Sequence, residues 1–252
     1  MDKLEYDRLG FRLKLGVIVP STNTCVQPEF DDMRPRGVTN HVARIMLKDA
    51  QQTNDQQQAQ VMDDIEEDFL EAIDRVMTCD PGAIVLGMSL PTFWGGVPAC
   101  DQLKARIEAH AGIPVFMGSQ ACIAALKKFP DVKRLGVITP YQPIGDRHVT
   151  TFFRESGYEV SEIRSLLPKS LVRIAFSGDR DFLQFLTSLA AKPVDAIVQV
   201  GTNLAMADIA DEAERWLGIP VLAINTATYW HALRQNGIDD KVYGYGSLLA
   251  QF

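Results

Sequence analysis

Short runs of aliphatic and β-branched residues alternate along this chain with stretches in which apolar residues return every three or four positions. Runs of the first kind lie at 14–19, 42–47, 83–87 and 113–117, and again at 135–139, 158–163, 195–200 and 219–224. They are apolar almost throughout, as parallel strands are when helices cover both faces of their sheet. Val61, Ile65, Phe69, Ile73 and Met77 recur every four residues, which predicts an amphipathic helix over 59–78. Pro98 suits the first turn of the next helix, with Leu103 and Ile107 on its buried face. The later part of the chain predicts helices over 145–156, 179–191, 204–217 and 227–236. Strand and helix in regular alternation describe βαβ units and an α/β fold with parallel sheets.

The pattern occurs twice. Leu15-Gly-Val-Ile-Val-Pro20 returns as Leu135-Gly-Val-Ile-Thr-Pro140, an offset of 120 residues. Ala83-Ile-Val-Leu-Gly87 returns as Ala196-Ile-Val-Gln-Val200 at 113, and Gly112-Ile-Pro-Val115 as Gly218-Ile-Pro-Val221 at 106. Three matches in one order, with a slowly shrinking offset, indicate duplication followed by small deletions. The expected organisation is two pseudo-symmetric α/β halves, 1–117 joined by the C-terminal segment 225–252, and 118–224. No low-complexity linker separates them, so the halves are expected to pack closely.

Composition narrows the partners. At 252 residues, 46% hydrophobic and 23% charged, the chain has the make-up of a globular protein with a sizeable core. Its net charge of −7 and the lack of a Lys/Arg stripe argue against nucleic acid. No apolar run approaches the roughly 20 residues of a membrane span. The opening MDKLEYDRLGFRLK lacks the apolar core of a secretion signal, and the four cysteines match no metal or redox spacing. The expectation is a cytoplasmic protein with reduced thiols. No GxGxxG follows a strand and no phosphate-binding GxxxxGK[ST] or GxSxG elbow occurs. The four histidines show no metal-ligand spacing, so no cofactor and no metal are expected.

Ligands of open parallel sheets bind beyond the carboxyl ends of the strands. Those ends read Pro20-Ser-Thr-Asn-Thr24, Gly87-Met-Ser-Leu-Pro91, Thr139-Pro-Tyr141, Gly201-Thr-Asn203 and Asn225-Thr-Ala-Thr228. All are rich in hydroxyls, amides, Gly and Pro, and poor in charge. Short neutral donors and backbone N–H groups of this kind suit a carboxylate or a developing oxyanion. Helix N-capping accounts for Ser, Thr and Asn at single ends equally well; two pairs at repeat-equivalent positions favour a shared anion site.

These loops also resemble a known family. Gly87-Met-Ser-Leu-Pro-Thr-Phe-Trp-Gly95, Val19-Pro-Ser-Thr-Asn23, Tyr141, the stretch Asp208–Leu217 followed by Gly-Ile-Pro-Val, and Tyr243-Gly-Tyr-Gly246 resemble the aspartate/glutamate racemase superfamily. The branch is that of arylmalonate decarboxylase and maleate isomerase, and the likeness spans essentially the whole chain. It implies flavodoxin-like, racemase-type halves, a site in the cleft between them, a small mono- or dicarboxylate substrate, no cofactor and, by analogy, a homo-oligomer. It implies that Asn23 and Tyr141 contact substrate, and Ser21, Met88 and Thr139 of the same loops are expected to bind it with them. The family's active-site cysteines align with Gly87 and Gly201, neither of them a thiol. Met88 stands where the decarboxylase has Thr, which removes one donor.

What the likeness leaves is an anion-holding site of Gly87, Ser89, Gly201, Thr202 and Asn203. The expected activity is that of a lyase (decarboxylase) or isomerase working through an enediolate. A hydrolase using the same oxyanion hole, or a carboxylate-binding protein without turnover, are the alternatives. Candidates for an acid or base are Tyr141, Cys25 and His231. Packing is the competing account of each: Cys25 as filler at a helix start, Tyr141 in the core, His231 beside Tyr229 and Trp230. His148 is expected to be exposed, Cys79, Cys100 and Cys122 structural, and Phe93 and Trp94 either an apolar wall of the site or a lid or dimer contact.

Overall fold

A computed structural model describes residues 7–252, so the first six residues of the charged opening stretch lie outside it. Two four-stranded parallel sheets form. The first runs β2-β1-β3-β4, with β1 at Leu13–Pro20, β2 at Val38–Ile45, β3 at Ala83–Leu86 and β4 at Val115–Met117. The second repeats that order as β6-β5-β7-β8, with β5 at Arg134–Thr139, β6 at Glu159–Ser165, β7 at Ala196–Gln199 and β8 at Val221–Ala223. The duplication read from three short matches is thus carried by the topology. Leu15, Val17, Ile18 and Val19 are buried whichever face they point to, because helices cover both sides of β1.

Helices connect the strands: α1 (Val26–Asp32), α2 (Asp55–Met77), α3 (Leu90–Phe93), α4 (Gly96–Ala111), α5 (Gly118–Leu126), α6 (Pro143–Glu155), α7 (Asp179–Ala190), α8 (Ala207–Leu217), α9 (Ile224–Gln235) and α10 (Ser247–Gln251). The helix expected at 59–78 starts four residues earlier because Asn54 caps it, its side chain accepting the Gln57 N–H. Val61, Ile65, Phe69 and Ile73 form its buried stripe. Pro98 and Ile107 fall in α4, with Ile107 fully buried.

One strand is displaced. The run at 42–47 predicted β2, yet the strand is Val38–Ile45. It is an edge strand paired with β1 alone, so its polar half, Thr39-Asn-His41, stays partly exposed and escapes an apolar criterion. Met46 and Leu47 have left the ladder, their N–H groups donating to Asp68 (2.6 Å) and to Ser21 Oγ (2.9 Å).

Helices α5 and α9, which follow the last strand of each sheet, pack on one another between the halves. Gly118 permits the approach: a Cβ there would lie 2.6 Å from Ile224 Cδ1. Further along α9, the Tyr229 ring rests on Phe30 of α1 with centroids 4.7 Å apart. Among the described residues, no helix is long and apolar enough to cross a membrane.

Candidate active site

The carboxyl ends of β1, β3, β5 and β7 converge on a cleft between the two sheets. Asn23, Met88, Ser89, Tyr141, Gly201, Thr202 and Asn203 all line it. Ser21, Cys25, Gly87, Thr139 and His231 do not, and each has a different task.

Ser21 Oγ donates to Leu47 O (3.0 Å) and accepts the Leu47 N–H, pinning Leu47 into the cleft wall. The Thr139 hydroxyl donates to Asp146 (2.5 Å) and accepts the Tyr141 N–H (3.2 Å), so it shapes the turn that presents Tyr141. The expectation that Gly87 offers its N–H to substrate is corrected by the sheet: that N–H donates to Ile18 O at 2.7 Å. A Cβ at Gly87 would lie 2.5 Å from Val19 Cγ1 and 2.8 Å from Val26 Cγ1, so the residue is a glycine for packing. The N–H groups of Met88, Ser89 and Gly201 have no hydrogen-bond partner among the described residues.

The polar end of the cleft is a connected set. Thr202 N–H donates to Ser89 Oγ (3.3 Å), Ser89 Oγ lies 2.5 Å from Tyr141 Oη, and Tyr141 O–H reaches Val200 O (3.2 Å). Two proton arrangements satisfy this set. With Tyr141 donating to Val200, Ser89 donates to Tyr141; with Tyr141 donating to Ser89, the Ser89 hydroxyl hydrogen is free for a ligand oxygen. Burial raises the Tyr141 phenol above its ordinary value, so it stays protonated and serves as a donor. Asn23 Oδ1 accepts the N–H groups of Cys25 and Val26 at the start of α1, and its Nδ2 reaches Thr202 Oγ1 at 3.4 Å. Asn203 is saturated: it accepts the Thr24 N–H and donates to Thr22 O and Leu171 O. Its side chain laces the loops together and has no donor left for a substrate.

The two thiol and imidazole candidates are elsewhere. Cys25 Sγ donates to Asn203 O (3.4 Å) behind the cleft, where burial and nearby Glu29 push the thiol up to about 11. His231 lines another cavity, between α4, α5, α6 and α9, that shares no residue with the cleft. Its ring stacks on Trp230, and burial with Lys104 lowers it to about 4. A water-activating role for either has no support from this geometry. Phe93 is core, edge-on to Phe152, and Trp94 covers His148, which is half-buried and accepts the Gly95 N–H (3.2 Å).

The remaining wall was not anticipated. Leu47, Val61, Ile65, Leu171 and Ile174 give it an apolar face, and Gln52 and Gln58 add two amides. Gln58, Val61 and Ile65 come from α2, which the strand-end rule does not select. The others come from the β2–α2 and β6–α7 connections, which leave the carboxyl ends of β2 and β6, two ends outside the five polar ones. The two connections are joined over the cleft: Gln51 and Ser170 form an antiparallel bridge, and Asp49 accepts the Ser170 hydroxyl (3.0 Å) and the Val172 N–H (2.9 Å). Among the described residues, no Lys, Arg, His, Asp, Glu or Cys lines the cleft. Groups of three or more side chains able to hold a metal ion are absent among the described residues.

Comparison with known proteins agrees with this picture. Residues 15–249 match the arylmalonate decarboxylase family. Maleate isomerase of Pseudomonas putida is 23% identical over 245 residues, covering 94% of this chain and 97% of the relative. Arylmalonate decarboxylase of Bordetella bronchiseptica is 26% identical over 167 residues, covering 65% of this chain and 69% of the relative. Among solved structures, a cysteine-to-serine variant of Nocardia farcinica maleate cis-trans isomerase superposes with a TM-score of 0.84 at 21% identity, covering 95% of this chain and 99% of that one. That variant carries a covalently bound succinylcysteine intermediate.

Proposed function

This chain belongs to the arylmalonate decarboxylase family, and from that premise we propose that it decarboxylates a small malonate-type acid carrying an apolar substituent. The observation that carries the reading is the cleft itself: neutral donors at one end, an aliphatic wall at the other, and no thiol in the lining. A succinylcysteine route of the kind trapped in the Nocardia farcinica isomerase needs a thiolate beside the substrate. Cys25 is behind the loop and held up to about 11. Decarboxylation asks less. The C–C bond to one carboxylate breaks, carbon dioxide leaves, and the electron pair passes into the retained carboxylate as an enediolate. The carbon then takes one proton, for which water suffices.

Ser89, Thr202 and Asn23 supply the donors for the developing oxyanion, with the N–H groups of Met88, Ser89 and Gly201 beside them. Tyr141 sets the orientation of the Ser89 hydroxyl. Such donors are aligned before reaction and lose roughly 3–4 kcal/mol of transition-state stabilisation each when removed. The expected experiment is turnover of aryl- and alkylmalonates followed by release of carbon dioxide. Ser89→Ala and Tyr141→Phe are expected to lower kcat by about 100-fold or more, with smaller effects on KM. Unchanged turnover in both variants would overturn this assignment of the site.

The same reading groups residues 1–117 with 225–252 and sets 118–224 against them, a division supported by the seating of Tyr229 on Phe30. All four cysteines are free, which suits a reducing compartment such as the cytoplasm.

A further inference from the structure

Gln58, in the first turn of α2, is 3% exposed and lines the cleft. Its Oε1 accepts two backbone N–H groups at the start of α6, from Gln142 and Gly145, each at 3.2 Å. An amino group in that place would face two donors, so the two bonds fix which end of the amide is oxygen. Nε2 is therefore turned the other way, and it makes no hydrogen bond to any described residue. The approach is built in: at Gly145, a Cβ would lie 2.5 Å from Gln58 Oε1 and 2.7 Å from Tyr141 Cβ. Asp55, three residues earlier, holds the Ile144 N–H (2.8 Å) and Arg147 (2.9 Å), so the amide sits on a rigid junction between α2 and α6.

We propose that Gln58 Nε2 is a substrate-binding donor, giving the cleft a second oxygen-binding point apart from Ser89, Tyr141 and Thr202. The proposal rests on the carboxylate reading above and deepens it: the substrate carries a second acceptor, such as the other carboxylate of a malonate. A neutral amide is suited to that place because no cation lines the cleft. Nε2 is not among the fully buried atoms without a partner, so it opens onto the cleft, where a ligand oxygen completes its hydrogen bonding.

The test compares a substituted malonate with the monocarboxylate that differs from it by one carboxylate, phenylmalonate against phenylacetate, by thermal shift and calorimetry. Gln58→Glu retains an oxygen for the Gln142 and Gly145 N–H groups, where a negative charge suits the start of a helix. It therefore keeps the unliganded melting temperature but turns an anionic oxygen toward the ligand. Gln58→Met removes the donor without adding charge. The expected result is at least about a tenfold loss of malonate affinity in Gln58→Glu, equivalent to about 1.4 kcal/mol. Gln58→Met should weaken the malonate severalfold and leave the monocarboxylate unchanged. Equal loss for both ligands in Gln58→Met, or malonate binding at wild-type strength in Gln58→Glu, would mean that Gln58 only supports α6. Ser89→Ala separates the two levels of the argument. Weakened binding in Ser89→Ala with none in the Gln58 variants overturns the Gln58 assignment alone. A wild-type protein that binds neither these acids nor other substituted malonates overturns the carboxylate reading and this proposal with it.

Discussion

At the scale of single residues, the cleft is defined as much by what its glycines exclude as by what its polar groups offer. Gly87 has no room for a side chain, with Val19, Val26 and the Ile18 carbonyl all within 3.2 Å of a Cβ there. Gly201 is similar, since Pro140 would lie 2.7 Å from its Cβ. Gly87→Ala is therefore expected to cost about 1–3 kcal/mol through overpacking, read as a lowered midpoint in urea unfolding. Combining it with Val19→Ala should return part of that loss, and a single variant as stable as wild type would show that the site is looser than described. A thiol placed at Gly87 would meet the same walls, so the neighbours, and not the glycine alone, keep a side chain out of this position. The sequence made the polar loops legible but not the direction of each side chain. Ser, Thr and Asn at a strand end look alike whether they cap, staple or face a ligand, which is why Ser21 and Thr139 read as substrate contacts and proved to hold backbone.

At the scale of elements, strands buried on both faces and the long helix α2 were plain in the hydrophobic pattern because their periods are sustained. Short or polar elements were not: α1, α3, α5 and α10 span 4–9 residues and leave too few repeats to read. One of these, α1, carries a side chain with consequences for stability. Helix α8 has no side-chain cap of its own. Glu29 of α1 reaches across to its first residue, accepting the Ala207 N–H (3.1 Å), and also accepts Asn225 Nδ2 (2.5 Å). Asn225 donates in turn to Thr202 O (2.9 Å), so the carboxylate helps hold the loop that carries Thr202. Burial, with Asp208 adding repulsion, raises the Glu29 carboxyl from 4.5 to about 7 against the lowering effect of Asn225, Ala207 and Met206. The unfolded chain releases this proton near 4.5 and the folded chain only near 7, so folding takes up a proton between those values. The stability Glu29 contributes in its protonated form is complete below 4.5 and is lost as pH rises through about 7. Unfolding free energy measured from about pH 4 to pH 8 should fall in wild type relative to Glu29→Gln across that window. His231, lowered to about 4, titrates in the opposite sense and cancels in the comparison. A constant difference between the two proteins would show that Glu29 titrates as it does in the unfolded chain.

At the scale of the whole molecule, the duplicated halves bring neutral loops together inside an acidic protein, and that combination sets how an anion arrives. The repeat and the net charge of −7 are both written in the sequence; the emptiness of the cleft of any charge is not, because its wall is completed by loops and an α2 face that only the folded chain assembles. In a site built around Arg or Lys, added salt weakens carboxylate binding by screening an attraction. Here the long-range field acting on an approaching carboxylate is repulsive, and the contacts that hold it are short hydrogen bonds to neutral groups that salt hardly reaches. The Debye length shrinks from roughly 30 Å at 0.01 M to about 10 Å at 0.1 M, so screening removes the repulsion before it affects the contacts. Affinity for a substituted malonate is therefore expected to stay level or strengthen slightly over that range, mainly through faster association. Calorimetry at several concentrations of sodium chloride checks it, with stopped-flow binding to separate the rates. A steep loss of affinity with salt would point to a cation acting on the ligand from outside the cleft, and the neutral-donor account of recognition would then have to be abandoned.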